Sequence, residues 1–438
     1  MLHVGLFIRL FCHSPCLLVI PYMHPFTLVF IAALAISVLL KAWLAARQLR
    51  HVRAHRAAVP AAFSGKVRLD AHQKAADYTV AKTRLGLAQS AMEAIVLLAL
   101  TWGGGIRFLA AFWHGALGVP LLGGTAFIVS VTALLGALEV PLALYRTFVI
   151  EARFGFNKMT LPLFIADLAK QTLLGALFGI PLIIAVLWFM ARMGAAWWFY
   201  TWLLWMGFNL LVLAIYPTFI APFFNKFEPL KNEPLQARID RLLKKCRFQA
   251  QGLYVMDGSK RSSHGNAYFT GFGKSRRIVF FDNLLKQLEP EEIEAVLAHE
   301  LGHYKHGHIY QRLGLLFALS FLFLWLLGVL SAQPWFYLGL HAGAPSDAVA
   351  LVLFFLVIPV FLFPFEPLFS LYSRKHEFEA DRFAARNADA GALRSALLKL
   401  YRDNAATLTP DRMYSAVYDS HPPAPQRLAR LQNTAGSR

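Results

Sequence analysis

The 438-residue sequence holds only three cysteines, Cys12, Cys16 and Cys246. So few exclude a disulfide framework, and no Cys/His pair stands at thiol-protease spacing. Acidic residues are also scarce, 25 Asp and Glu against 43 Lys and Arg, which gives a formal charge of +18. That excess could point to nucleic acid, but no Lys/Arg run with interleaved aromatics is present, and nucleic acid is set aside as a partner. No internal repeat is found. Positive charge is missing altogether from His114–Leu121 and Ser331–Ala348.

Apolar residues are what the chain has instead. They make up 57% of it, with a mean hydropathy of +0.48. Such a composition belongs to a polytopic membrane protein, mainly α. Seven apolar runs approach the ~20 residues a bilayer requires. They are Phe26–Ala46, Ala94–Trp113, Leu122–Tyr145, Gln171–Ala191, Trp197–Phe219, Leu313–Leu330 and Val349–Leu371. Nine basic residues, from Arg47 to Arg84, lie between the first two runs. Arg146, Arg153, Lys158 and Lys170 lie between the third and fourth. The positive-inside rule puts these connections in the cytoplasm. The N-terminus is then outside and the C-terminus inside. Residues 226–310 and everything after Ser373 share the cytoplasmic face. Basic residues beside spans suit anionic lipid heads, so membrane lipids are expected partners. Cys246, in the cytoplasmic block, is read as a reduced thiol.

Residues 1–22, moderately apolar and containing Arg9, resemble a weak signal sequence, with Met23 as an alternative start. The chain then divides into a tail (1–25), spans one to five (26–225), a cytoplasmic region (226–310), spans six and seven (311–372) and a C-terminal region (373–438). Glu93, Arg107, Glu139 and Glu366 lie within or near apolar runs, as candidates to pair or to line a wet cavity. Pro141, just after Glu139, predicts a kink.

Within 226–310, His299-Glu300-Leu301-Gly302-His303 is an H-E-x-x-H motif, which marks this block as a metallopeptidase region. The composition predicts roughly 0.015 chance matches per chain. Its context reads as a helix, with Pro290 at the first position, acids in the first turn, and Ile293, Val296 and Leu297 on one face. His299 and His303 are i and i+4, so they share a face and can grip one ion. Imidazoles of this kind suit Zn²⁺, one per chain, with three protein ligands and a water. Glu300 between them would be the general base on that water. Two solvated histidines on a helix are the bland alternative.

A third ligand is required. The metzincin pattern is excluded, since its last histidine position holds Ile309 and its glycine position holds His306. Glu377, in a helical stretch that also carries Glu379 and Asp381, is the candidate. Glu377 and Asp381 share a face, so the second acid could orient a ligand. Glu379 competes as a ligand but faces elsewhere. His306 and His308 are read as outer or surface residues. Short strands are expected at Gly252–Met256 and Arg277–Asp282. Between them, Ser262 to Gly273 could form a strand whose edge holds an extended peptide, or a plain hairpin. His421, in a His-Pro-Pro turn, would ordinarily be a surface residue; it could instead reach the site and stabilise an oxyanion.

Four pieces together resemble the type I CAAX prenyl proteases, integral-membrane zinc metallopeptidases. They are His264-Gly265-Asn266-Ala267-Tyr268-Phe269-Thr270-Gly271, His299 to His303, Glu377-Phe378-Glu379-Ala380-Asp381, and His421-Pro422-Pro423. Their order and spacing agree, and so do seven spans. The resemblance implies transmembrane helices around a water-filled chamber, with a gluzincin-like site at its cytoplasmic end. It implies Glu377 as third ligand and Asp381 in a supporting or proton-donor role. Asn266, Ala267 and Tyr268 would lie on the substrate-holding strand, with His421 near the scissile carbonyl. The substrate would be a peptide or protein, lipidated in that family. HtpX-type quality-control proteases share the zinc motifs but are shorter, and stand as the alternative. A non-proteolytic membrane protein with a structural zinc is a remoter one, since such a site usually fills four protein ligands, often with cysteine. Short loops and no endoplasmic-reticulum retrieval signal give the expectation of a bacterial inner-membrane homologue.

Overall fold

The structure is a computed structural model and describes residues 23–270 and 276–435. The expectations for residues 1–22, including Cys12 and Cys16, and for Gly271, Phe272 and Gly273 lie outside the described residues.

The membrane part begins with helices α1 (Pro25–Ala54), α2 (Leu69–Leu100), α3 (Gly105–Leu117), α4 (Pro120–Leu144), α5 (Leu161–Arg192), α6 (Trp197–Ile215) and α7 (Ala221–Phe224). It resumes later with α11 (His308–Ser331), α12 (Pro334–Gly339) and α13 (Asp347–Leu362). Among the described residues, seven helical segments are long and apolar enough to cross a membrane, the third being Pro120–Glu151 and the last Asp347–Asn387. The chain is a multi-pass membrane protein, mainly helical.

One expected span is corrected. Sequence puts the second at Ala94–Trp113, but the helix long and apolar enough to cross is Leu69–Leu100. Apolar residues continue past its end, so hydropathy alone does not register the break. Gly104 makes the break, with a left-handed φ of 75°. Gly103 packs so close to the preceding turn that a Cβ would meet Ala99 O at 2.6 Å. The remaining apolar residues form α3, which packs on α4. The basic residues expected in the first connection are redistributed too: Arg47, Arg50 and Arg53 end α1, while Lys74, Lys82 and Arg84 lie on α2. Around Pro141 the helix does not stop. It runs on into a π-helical stretch, Tyr145–Glu151, which re-registers the backbone ladder after a residue without N–H. Glu93 and Glu139 both line a cavity of about 550 Å³ among α1, α2, α4 and α13. Gln89 donates to Glu93 Oε1 at 3.2 Å and reaches Glu139 Oε2 at 3.5 Å.

The region between the fifth and sixth spans contains β1 (Phe227–Pro229), α8 (Glu233–Lys245), β2 (Gly252–Met256), β3 (Ala267–Thr270), β4 (Arg277–Phe281), α9 (Asp282–Gln287) and α10 (Pro290–Lys305). The sheet order is β1-β2-β4-β3, with β2 and β4 parallel and the outer pairs antiparallel. After the last span come α14 (Glu366–Asn387), α15 (Ala390–Asp403), α16 (Arg412–Tyr418) and α17 (Ala424–Ala435). Val417 of α16 packs with Leu44 and Phe363, while α14, α15 and α17 share one core with the sheet, α8 and α10. Ile278, Phe280, Ile293, Leu297, Leu301, Ala384 and Leu393 are all buried there. Each large apolar side chain so buried contributes about 1.5–3 kcal/mol.

Two charge clamps tie this core to the spans. Arg261, just before β3, donates from Nε and Nη2 to both oxygens of Asp167 on α5, at 2.7 and 2.9 Å. Arg47 on α1 donates to Asp411 at the start of α16, at 3.2 and 2.9 Å.

Candidate metal centre

The site is built where α10 crosses α14. α10 starts with a capping box: Glu289 at the N-cap exchanges hydrogen bonds with Glu292, and Pro290 follows. Buried Glu292 also accepts from Ser395 at 2.6 Å and Lys399 at 2.7 Å, which fixes α10 against α15. Burial opposes the charge on Glu292, and these partners outweigh it, holding its carboxyl below the ordinary range.

Gly302 sets how closely the two helices approach. A Cβ there would meet Ala380 Cα at 2.8 Å, Ala380 O at 3.0 Å and Phe383 Cβ at 3.1 Å. This contact brings His299 and His303 to face Glu377. His299 Nε2 and His303 Nε2 are 3.3 Å apart. His303 Nε2 stands 3.3 Å from Glu377 Oε1, and His299 Nε2 stands 3.5 Å from Glu377 Oε2. Tetrahedral zinc with bonds of about 2.1 Å needs donor separations of ~3.4 Å. These residues therefore fit a zinc ion in donor type and spacing. Glu377 is 2% exposed, so it has little water to turn to. Its Oε2 accepts no aligned hydrogen bond, although His421 Nδ1 lies 2.7 Å away. Glu300, half-buried, follows His299 on the same helix.

Behind the donors stands a second layer. Asp381 Oδ1 lies 2.9 Å from His299 Nδ1, the nitrogen turned away from Glu377. Asp381 is itself gripped by Arg427, whose Nη2 and Nε donate to Oδ1 and Oδ2 at 2.6 and 2.8 Å. Burial works against the Arg427 charge, and the Asp381 carboxylate more than offsets it, holding the guanidinium above its ordinary value. Burial likewise opposes protonation of His299, but Asp381 and Glu377 prevail and hold the metal-free imidazole up to about 9.

The sequence reading missed Arg427. A signal existed: Ala424, Arg427, Leu428 and Leu431 form the buried stripe of α17, so a cation occupies a core position. His308, read as an outer or surface residue, is 1% exposed. Its Nδ1 is 2.9 Å from His303 Nδ1, and its Nε2 is 2.9 Å from Glu379 Oε2. His306 is exposed.

The remaining candidates are less enclosed. His421 has a side chain 64% exposed, on a turn held by Tyr401 Oη donating to Pro422 O at 3.3 Å. Ala267 and Tyr268 lie on β3, and exposed Asn266 immediately precedes it. β3 ends the sheet, pairing with β4 on one side only. Asn266 O accepts from Phe281 N at 2.9 Å, which extends the ladder by one residue. His264, at the head of this segment, stacks on Phe156, and its Nδ1 is 2.9 Å from Asn404 Oδ1.

Known proteins resemble the chain over nearly all of this architecture. A family model described as CAAX prenyl protease N-terminal, five membrane helices, matches residues 48–226. A second, Peptidase family M48, matches residues 229–435. A CAAX prenyl protease 1 homolog of Arabidopsis thaliana is 37% identical over 67% of this chain and 69% of its own length. The Caenorhabditis elegans homolog is 31% identical over 87% of this chain and 92% of its own. The crystal structure of S. mikatae Ste24p superposes with a TM-score of 0.85 at 28% identity, covering 93% of this chain and 99% of that one.

Proposed function

This chain belongs to peptidase family M48, and from that premise we propose that His299, His303 and Glu377 hold one zinc ion for peptide-bond hydrolysis at the membrane. It is a membrane-embedded metalloendopeptidase of the CAAX prenyl protease 1 type. One observation carries the site assignment: the two histidine Nε2 atoms lie 3.3 Å apart and each stands 3.3–3.5 Å from an oxygen of Glu377, near the edge of a zinc tetrahedron.

Zinc bound there would supply Lewis acidity and lower the pKa of a coordinated water towards about 7. Glu300 would take a proton from a water attacking the scissile carbonyl carbon and return it to the leaving amine nitrogen. His421, beside Glu377 and open to solvent, donates to the developing oxyanion. The free edge of β3, from Asn266 to Tyr268, pairs with the extended substrate backbone. Asp381 acts from behind the metal: its carboxylate is committed to His299 Nδ1 and Arg427, which favours its supporting role over that of proton donor.

The substrate class is carried over from the names of the relatives, namely proteins or peptides of the prenylated CAAX kind. Seven long helices favour this reading over the shorter HtpX type. The loop charges support a cytoplasmic active site, and the short loops support a bacterial inner membrane. The proposed divisions remain 1–25, 26–225, 226–310, 311–372 and 373–438.

The test uses the purified chain in lipid nanodiscs with a fluorogenic prenylated peptide, with and without chelator. Cleavage should stop on chelation and return with zinc. Glu300→Gln should bind zinc like the wild type and cleave nothing. Full activity in that variant would overturn the assignment of the base.

A further inference from the structure

His303 also has a nitrogen turned away from the proposed metal, and what meets it is another histidine. Its Nε2 faces Glu377 and His299, so its Nδ1 is the outer atom. That atom lies 2.9 Å from His308 Nδ1, and His308 Nε2 lies 2.9 Å from Glu379 Oε2. We propose that His308 and Glu379 form a hydrogen-bonded arm that fixes the ring orientation and tautomer of His303, and so act as positioning residues for the metal. The inference rests on the zinc assignment above.

Proton counting gives the arm a direction. A His303 ring that offers its Nε2 lone pair to a metal must carry its proton on Nδ1. That N–H then donates to His308 Nδ1, which must be bare. The His308 proton is left on Nε2, where it donates to Glu379 Oε2. Each nitrogen is used once, and the arm ends on a carboxylate. Its effect is to make His303 a more basic, better-aligned donor. His299 has its counterpart in Asp381 and Arg427.

Local backbone explains why His308 can reach back. α10 ends at Lys305, and Gly307 takes a left-handed φ of 65°. The chain turns there and restarts as α11 at His308. Glu379 comes from α14, two residues from both Glu377 and Asp381 and so on a different face from theirs. His308 is 1% exposed, so water does not replace these partners.

A rival arrangement uses the same residues. Donor atoms of His308, His376 and Glu379 all lie within 4.8 Å of one another, as around a second ion. Ring geometry weighs against it. The His308 and His376 rings are stacked, 3.9 Å apart and 7° from parallel. Their in-plane lone pairs therefore run side by side and do not converge. His376 Nε2 is also engaged by Gln311 Oε1 at 3.2 Å.

The experiment measures zinc stoichiometry and zinc affinity by chelator competition in the full-length chain, with cobalt spectra alongside. Wild type should bind one zinc. His308→Ala and Glu379→Gln should each weaken binding about 10–100-fold. The double variant should lose little more than either single change, because both break one arm. Cobalt in His308→Ala should give a shifted d–d spectrum, which a merely structural loss would not produce. If His308→Ala fails to fold, the arm is read from Glu379→Gln. Wild-type affinity and spectrum in both variants would overturn the arm and leave the zinc site standing. Two zinc ions in wild type, falling to one in His376→Ala, would also overturn it. No zinc in wild type would instead sink the zinc assignment itself.

Discussion

Arg427 holds Asp381 with two nitrogens, at 2.6 and 2.8 Å, and Asp381 in turn stands 2.9 Å from the outer nitrogen of His299. A cation from the last helix is thus linked to a metal ligand through one carboxylate. Arg427→Met should strip the buried Asp381 carboxylate of its guanidinium partner and leave it His299. Zinc affinity is expected to fall about 10–100-fold. Arg427→Lys should recover only part of it, since lysine lacks the two-pronged fork. Chelator competition measures both, and equal affinity across the three proteins would refute the linkage.

Gly302 predicts a steric effect on metal binding. Gly302→Ala places a methyl against the Ala380 backbone, where no flexible side chain can yield. Overpacking of this kind costs about 1–3 kcal/mol. The helices must separate, which draws His299 and His303 away from Glu377. Weaker zinc binding is expected along with a lower melting temperature. A variant with unchanged affinity would show that the close approach does not set the donor spacing.

The elevated His299 pKa predicts proton release. The metal-free imidazole is held up to about 9, so at neutral pH it carries a proton that zinc must displace. Zinc affinity should therefore keep rising with pH above 7 and level off near 9. With an ordinary histidine value it would level off near 6.5. Calorimetry in buffers of different ionisation enthalpy reads the released proton directly. Release of none at pH 7.5 would contradict the raised value.

Arg261 and Asp167 predict a stability coupling between membrane and catalytic parts. Asp167 has a side chain 7% exposed and Arg261 one 20% exposed. Removing Arg261 should cost about 3 kcal/mol, because it strips the buried Asp167 carboxylate of its guanidinium partner, and removing Asp167 should cost less, because Arg261 keeps Asn225 Oδ1 and Phe224 O. The double replacement should cost less than the sum of the two. Thermal unfolding of the single and double variants in one detergent gives the cycle, and strict additivity would exclude the clamp.

Much of this arrangement could be read in the sequence because it depends on local spacing. Pro290 and its acids mark the start of α10, and i, i+4 spacing puts His299 and His303 on one face. Glu377 and Asp381 share a face for the same reason. Enrichment in Tyr, Val, Ile and Phe locates β2 and β4. The second span was misplaced because apolar content runs through Gly103 and Gly104, and a hydropathy window averages over a glycine break. Arg427 was missed, and His308 was left between an outer ligand shell and the surface, for a different reason. Their roles depend on which helices meet, and contact across 46 residues between Asp381 and Arg427 leaves no periodic trace. The stripe of α17 and the glycine before His308 were the available hints.

Gly307 separates the helix bearing His299 and His303 from the sixth span, while Glu377 rides on the continuation of the seventh. In mechanical terms the donor set is a joint between two rods standing in lipid. A span longer or shorter than the hydrocarbon layer accommodates by tilting. Tilt of either rod changes the angle at the joint, so bilayer thickness becomes a setting of the donor geometry. Zinc affinity in vesicles of short-chain and long-chain phosphatidylcholine would register that setting, and a flat response would show the joint to be stiff.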